Sequence, residues 1–501
     1  MAALTVNLVL ATLVAVCYGR FDPLQHSGPA SPYFDAPSQF GIDSSTPSQC
    51  VVDSAAYIVR HGSRYPEPGS FAGWQALFAK LQNATYTAHG PLAFLPSWVV
   101  PVDDAPHQPL YLTSTGAGEA FKLGVDLRKR YRFTPGGDNF TVWAAGQQRV
   151  VDTSAYFLQG YLSQGNYLAA PPENRGIVVA MPDSVNYTFA DSLTPSNGCP
   201  AYKGGDTSAK ATTFRATYQG KIAARLNRYL DGLALNASDV GTMQDLCGFQ
   251  AEVSGDTRFC DIFEEEEWND YEYAHDLNYY YGSGPGNPYS ATVGFPWLQA
   301  VTGLLASAPN ASAGGNATFV PPALVMSFTH DNNLPPVVAA LGIWNTSDAR
   351  GVYPLSPSRA DARRTFRSSY LVSFLGHVAL ERLSCDAHAP SSAVRHTAGQ
   401  VVAAAGTSAG AQKYVRIRIN DAVVPVPGCA SGPGSSCPME GFVKHVQARG
   451  AVAGDFVERC GLQGVANATG TLDIFTKVPS ADAETFTLLA PQANALVPVG
   501  L

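Results

Sequence analysis

Apolar and polar positions fall into a small number of distinct patterns along the chain. Residues 51–59, VVDSAAYIV, form a β-like apolar run that breaks off abruptly into RHGSRYP at 60–66. Residues 112–131 carry Ala120, Leu123, Leu127 and Tyr131 at helical spacing, which predicts a helix with one buried stripe. FTVWAA at 140–145 predicts a second strand. It runs into GQQR, and Arg149 opens a helix striped by Val151, Ala155, Leu158 and Leu162. ALVMSFT at 323–329 predicts a third strand, ending in His330-Asp331. Strands alternating with helices predict an α/β fold, a mostly parallel sheet flanked by helices. Residues 200–290 differ: they are polar, helical in pattern, and contain the acidic-aromatic block FEEEEWNDYEYAHDLNYYYGSGPGNP, which predicts a smaller helical cap insertion. YVRIRIN at 414–420 alternates apolar and basic residues, the pattern of a half-exposed strand. Residues 20–49, rich in Pro, Ser and Gly, read as an extended N-terminal arm, loose or packed, and long enough to reach a second copy in a homo-oligomer. The main domain spans 50–465, and residues 466–501, with little pattern, read as a C-terminal tail.

Composition narrows the class. Of 501 residues 46% are hydrophobic and only 14% charged, which excludes a disordered chain, while 47 Gly and 36 Pro exclude a long coiled coil. The formal charge is −8 and no basic block stands out, so nucleic acid is not an expected partner. The apolar run LTVNLVLATLVAVC at 4–17, followed by Gly19, reads as a signal peptide over 1–19, too short to span a membrane. No later segment reads as a span, so no membrane partner is expected. Removing Cys17 leaves eight cysteines, enough for four disulfides with 105 possible pairings, and none sits in a CxxC pair that would suggest zinc. Sequons begin at Asn83, Asn139, Asn186, Asn236, Asn310, Asn316, Asn345 and Asn467. Together these features predict a secreted glycoprotein, extracellular or held in the wall or periplasm.

The chemistry lies where the three apolar strands end. If they are parallel neighbours, Arg60, His61, Arg64, Arg149, His330 and Asp331 meet at one rim, where open α/β sheets bind ligands. Three arginines suit a dianionic phosphate, whose oxygens guanidinium groups grip in pairs. A histidine among cations stays neutral and keeps a lone pair for attack on phosphorus. Asp331, when protonated, would supply the leaving alcohol with a proton, which predicts activity skewed to acid pH. No metal and no cofactor is needed for such a reaction, and no compact carboxylate-histidine metal motif is visible.

RHGSRYP with a distant His-Asp resembles the histidine acid phosphatases. LTSTGAGEAFKLGVDLRKRY and QQRVVDTSAYFLQGY also fit that family. FCDIFEEEEWNDYEYAHDLNYYYGSGPGNP, GHVALERLSC and YVRIRINDAVVPVPGCASGPGSSCP resemble its secreted fungal branch, most closely the members with a strongly acidic optimum. The resemblance covers roughly 50–460. It implies a histidine phosphatase (phosphoglycerate mutase-like) fold with a helical cap, His61 as nucleophile, Asp331 as proton donor, and Arg60, Arg64, Arg149 and His330 as phosphate ligands. It also implies disulfides Cys50–Cys385, Cys199–Cys460, Cys247–Cys260 and Cys429–Cys437. Ser63 stands at a motif position that varies within the family, and the stretch beyond Cys460 has no counterpart in it.

The expected substrates are phosphate monoesters, phytate among them at low pH. Glu264–Glu267 either start a helix or face the cleft and repel phytate until protonated. The alternatives are a dedicated 3-phytase and, more remotely, a non-catalytic surface glycoprotein that binds phosphorylated ligands. A glycosidase using two carboxylates leaves the arginine-histidine rim unexplained.

Overall fold

The computed structural model describes residues 21–133, 140–163, 176–182, 189–202, 207–307, 321–344, 352–386, 411–477 and 485–487. The predicted signal peptide and the sequons at Asn139, Asn186, Asn310, Asn316 and Asn345 lie outside these residues, whereas Asn83, Asn236 and Asn467 are exposed. The strands are β1 Cys50–Arg60, β2 Thr87–Ala88, β3 Phe140–Ala145, β4 Gly176–Met181, β5 Leu230–Asp231, β6 Leu324–Thr329, β7 His377–Cys385, β8 Gln412–Ile419, β9 Ala422–Val424, β10 Cys437–Pro438 and β11 Thr485–Thr487. The helices are α1 Pro68–Asn83, α2 Ser114–Tyr131, α3 Gln148–Leu162, α4 Thr207–Leu226, α5 Ala237–Ser254, α6 Glu265–Gly282, α7 Ser290–Ala306, α8 Leu334–Leu341, α9 Ser368–Leu371, α10 Met439–Ala453 and α11 Phe456–Arg459.

The main sheet runs in the order β10-β8-β7-β1-β6-β3-β4-β11, with β9 pairing β8. Its centre is parallel: β1 pairs β6, β6 pairs β3 and β3 pairs β4. Both flanks are antiparallel, through β7 and β8 on one side and β11 on the other. Every residue of β3 and β6 is buried, as a strand covered on both faces requires. Consecutive residues of β6 show the two coverings. Ser327 accepts a hydrogen bond from the Trp297 indole of α7 at 3.1 Å, and Phe328 packs on Phe157 of α3. Helix α3 lies close against α2, because a Cβ on Gly160 would stand 1.9 Å from the Phe121 carbonyl oxygen. Helices α4, α5 and α6 pack together with α1 against α5, and residues of α5 and α6 reach the loops at the carboxyl ends of the parallel strands. The helical layer therefore takes in α1, which lies outside residues 200–290.

Strand β8 corrects the expected half-exposed pattern. Arg416 and Arg418 are only 1% and 4% exposed. Both pair with Glu381 of β7, at 2.7 Å and 2.9 Å, and the Tyr131 hydroxyl donates to the same carboxylate at 2.6 Å. Arg416 and Arg418 also donate to the Ser45 and Ser44 carbonyls of the N-terminal arm. Burial raises the pKa of Glu381, but the two arginines outweigh it and hold the carboxyl below its usual range. Glu381→Gln leaves two buried guanidinium groups without a counter-charge. The expected loss is about 3–5 kcal/mol of stability, read as a lower urea midpoint with an unchanged m-value.

The arm packs on its own chain. The Phe374 amide donates to the Ser31 carbonyl at 3.0 Å, and the Ala36 amide to the Asn420 carbonyl at 2.7 Å. Beyond residue 465 the expected patternless tail is corrected in part: Leu472, Ile474 and Phe475 are buried, Phe475 edge-on to Trp143, and β11 extends the sheet beside β4. Disulfides join Cys50 to Cys385, Cys199 to Cys460, Cys247 to Cys260 and Cys429 to Cys437. The first closes the register pair at the ends of β1 and β7. No helix among the described residues is long and apolar enough to cross a membrane.

Candidate active site

Three neighbouring parallel strands end at the same level. Arg60 is the register partner of Thr329, and the His61 amide donates to the Thr329 carbonyl at 3.0 Å. This places Arg60, His61 and Arg64 after β1, His330 and Asp331 after β6, and Arg149 in the first turn of α3 after β3. All six sequence-predicted residues come together at the carboxyl ends of the strands.

The loop after β1 is held from several sides. A Cβ on Gly116, in the first turn of α2, would stand 2.2 Å from the Ser63 carbonyl oxygen, so only glycine lets the loop rest there. Thr113, the cap of α2, donates its amide to that carbonyl at 2.9 Å. The Gly62 amide donates to Thr153 of α3 at 3.0 Å.

His61 is 1% exposed. Its Nδ1 lies 2.9 Å from the Gly62 carbonyl, an acceptor only, so Nδ1 carries the proton and Nε2 the lone pair. Burial, then Arg60, Arg149, Arg64 and His330, push its pKa well below the usual histidine value, and the ring is neutral. Arg149 donates to His330 Nδ1 at 3.2 Å, which leaves Nε2–H of His330 as a donor. Burial and neighbouring arginines lower the Arg149 pKa to about 10, so it stays cationic in acid and at neutrality.

Arg60 Nη2 pairs with Asp331 at 3.1 Å, and its Nη1 donates to the carbonyls of Val372, at 2.6 Å, and Pro29. The Phe374 ring lies 4.5 Å from the guanidinium carbon. Arg64 is held by Glu67 at 2.6 Å and lies over the Phe249 ring. The Nε atoms of Arg60, Arg64 and Arg149 are all buried without a hydrogen-bond partner. Buried donors normally have one, so three orphaned donors at one rim mark a place for an anion's oxygens. Burial raises the Asp331 pKa, yet Arg60, Arg64, a 2.8 Å bond from the Tyr279 hydroxyl and His330 together bring it below the usual value.

Sequence reasoning missed Tyr279, Phe374, Phe249, Thr153 and the Pro29 carbonyl. Tyr279 lay in view within the acidic-aromatic block, but nothing in its spacing aims it at Asp331. The glutamate run is also placed. Glu264 caps α6 in a capping box with Glu267, and Arg225 pairs with Glu267. Tyr279 lies fifteen residues on, about 20 Å along the helix. Of the two expected readings of Glu264–Glu267, the structure has the helix start, away from the end of α6 that touches Asp331.

Residues 51–420 match the family model described as histidine phosphatase superfamily (branch 2). The chain is 31% identical to acid phosphatase PHO1 of Komagataella pastoris over 88% of this chain and 87% of that one. It is 29% identical to phytase PHO112 of Candida albicans, over 88% of each. A crystal structure of the phytase from D. castellii superimposes with a TM-score of 0.75 at 26% identity, covering 92% of both chains.

Proposed function

We infer the activity from a fixed premise: this chain belongs to branch 2 of the histidine phosphatase superfamily. It is an acid phosphomonoesterase that acts on phosphate monoesters, with phytate among its substrates at low pH. Its kinship with both acid phosphatases and phytases supports that range. The observation that carries the mechanism is a neutral histidine beside three arginines, each with a buried Nε that has no hydrogen-bond partner.

In this reading His61 Nε2 attacks phosphorus in line with the ester oxygen, forming an N–P bond as the P–O bond breaks. Arg60, Arg64, Arg149 and His330 hold the non-bridging oxygens and stabilise their charge in the transition state. Asp331 gives its proton to the departing alkoxide. Asp331, now ionised, then takes a proton from water, whose oxygen displaces His61 and releases phosphate. A dianionic phosphate neutralises the arginines that depress the Asp331 pKa, so the donor is better protonated in the complex than in the free enzyme. The four disulfides and three exposed sequons support a secreted protein.

A cavity of about 540 Å³ in the helical layer borders the first turn of α1, directly after the RHGSRYP loop, and includes Ser70, Trp74, Arg215, Asp245, Tyr271 and His275. Its acid is Asp245, bonded to the Trp74 indole at 3.0 Å and raised to about 6 by burial. Below about pH 6 it is neutral, and above it adds a negative charge within electrostatic reach of Arg64, which weighs most against a polyanion. Asp245→Asn should therefore raise kcat/KM for phytate about threefold to tenfold at pH 6.5, roughly 1 kcal/mol between partly solvated charges, and change little at pH 3. An aryl phosphate, which carries a single phosphate, serves as the control. Equal effects at both pH values would remove Asp245 from substrate selection.

A further inference from the structure

Directly behind the nucleophile lies a group that the reaction above does not use. Ser63, two residues after His61 and next to Arg64, is fully buried. Its hydroxyl bridges two carboxyl groups from different parts of the molecule: Glu119 of α2 at 3.1 Å, and Glu252 of α5, in the helical layer. The Thr115 hydroxyl of α2 adds a second tie, donating to the Glu252 carbonyl at 2.7 Å.

Counting donors decides the protonation. Two hydrogen bonds at one hydroxyl oxygen need two protons, and serine owns one. The other must come from a glutamic acid that donates to Oγ. Two carboxylates around one serine proton would instead repel one another in a site with little water.

We propose that Glu119, Ser63 and Glu252 form a positioning clamp, built around one retained carboxyl proton, that fixes the nucleophile loop between the main domain and the helical layer. The clamp touches neither phosphate nor leaving group. It acts by setting where His61 and Arg64 stand. The proposal rests on His61 being the nucleophile.

The surroundings agree. Glu119 is pushed up to about 8, first by burial and then by the charge of Glu252. Burial also raises Glu252, against the bond from Ser63. From α2 the pair is faced by Lys122, which is itself paired with Asp126 at 2.5 Å. From the loop Arg64 is engaged by Glu67 and lies over the Phe249 ring of α5. A group raised on folding stabilises the fold fully below its unfolded value and loses that contribution as pH rises through the folded value. The clamp is thus secure in acid and fails between about pH 4.5 and pH 8.

The test uses the full chain and para-nitrophenyl phosphate. Glu119→Gln keeps a donor toward Ser63 but cannot ionise. Ser63→Ala removes the bridge. Samples are held at pH 8, returned to pH 4 and assayed there, so that ionisation of Asp331 does not enter. Glu119→Gln should lose activity at pH 8 at least threefold more slowly than wild type, and its Tm should fall less between pH 5 and pH 8. Ser63→Ala should lower kcat at pH 4 about tenfold with KM within twofold. Equal decay at pH 8 and parallel Tm profiles for Glu119→Gln and wild type would overturn the clamp. If Ser63→Ala does not accumulate, Glu119→Gln decides alone. His61→Ala runs beside them: if it still turned over, the nucleophile assignment would fail, whereas an inactive His61→Ala with an unshifted Glu119→Gln would remove only the clamp.

Discussion

His61→Ala is expected to lower kcat for every phosphate monoester by at least about 10⁴-fold, because it removes the atom that forms the bond to phosphorus. The loss should be the same for aryl, alkyl and inositol phosphates, since nucleophilic attack is common to all of them. Binding of inorganic phosphate should persist, because Arg60, Arg64 and Arg149 are anchored independently of the imidazole: Arg60 on two carbonyls, Arg64 on Glu67 and Arg149 beside His330. Calorimetric titration with phosphate, alongside steady-state assays, separates these effects. A variant that neither turns over nor binds phosphate would mean that His61 organises the site rather than attacking from it.

Asp331→Asn carries the second large effect, a fall in kcat of roughly 10²- to 10⁴-fold, the usual worth of a placed general acid. Here the leaving group matters. An alkyl alkoxide needs the proton most, so the loss should be greatest for glycerol phosphate and smaller for para-nitrophenyl phosphate. The pH profile gives a further check. In the free site Asp331 is paired with Arg60 and sits below the usual carboxyl range. The donor form therefore disappears early as pH rises, and the alkaline limb of kcat/KM lies low. With phosphate bound the arginines are occupied, so the limb of kcat should lie at higher pH than that of kcat/KM. In Asp331→Asn this limb should vanish from both. Equal losses for good and poor leaving groups would remove Asp331 from proton donation.

Much of the site was legible because it depends on where strands stop. VVDSAAYIV, FTVWAA and ALVMSFT are largely apolar runs; the first and third are followed at once by charged or titratable residues, and Arg149 comes just after the second, behind Gly-Gln-Gln. Such a run, short and rich in β-branched and aromatic residues, suits a strand in a sheet covered on both faces, and its carboxyl end is where the chain turns to solvent or ligand. What stayed hidden depends on partners distant in sequence. Arg416 and Arg418 alternate with apolar residues as on a half-wet strand, yet Glu381 and the arm carbonyls at Ser44 and Ser45 meet them on the buried side. Periodicity gives the face of a strand and not its neighbour, so the antiparallel flanks were not foreseen either. The glutamate run at 264–267 has a local cause, the capping box of α6, that its charge alone did not reveal. Tyr279 reaches Asp331 only because α6 lies across the loop after β6. The last segment, with three buried apolar residues among Thr, Asp and Gly, is too sparsely patterned to announce the strand that follows.

A covalent phosphate on His61 is the feature on which this mechanism stands, and trapping it is the decisive experiment. Enzyme mixed with a ³²P-labelled monoester at acid pH is quenched within milliseconds in strong base, digested, and mapped. Label approaching one phosphate per chain, stable in alkali and lost in acid, is expected on the peptide that carries RHGSRYP. Turnover without a labelled intermediate, or label on any other peptide, would contradict it.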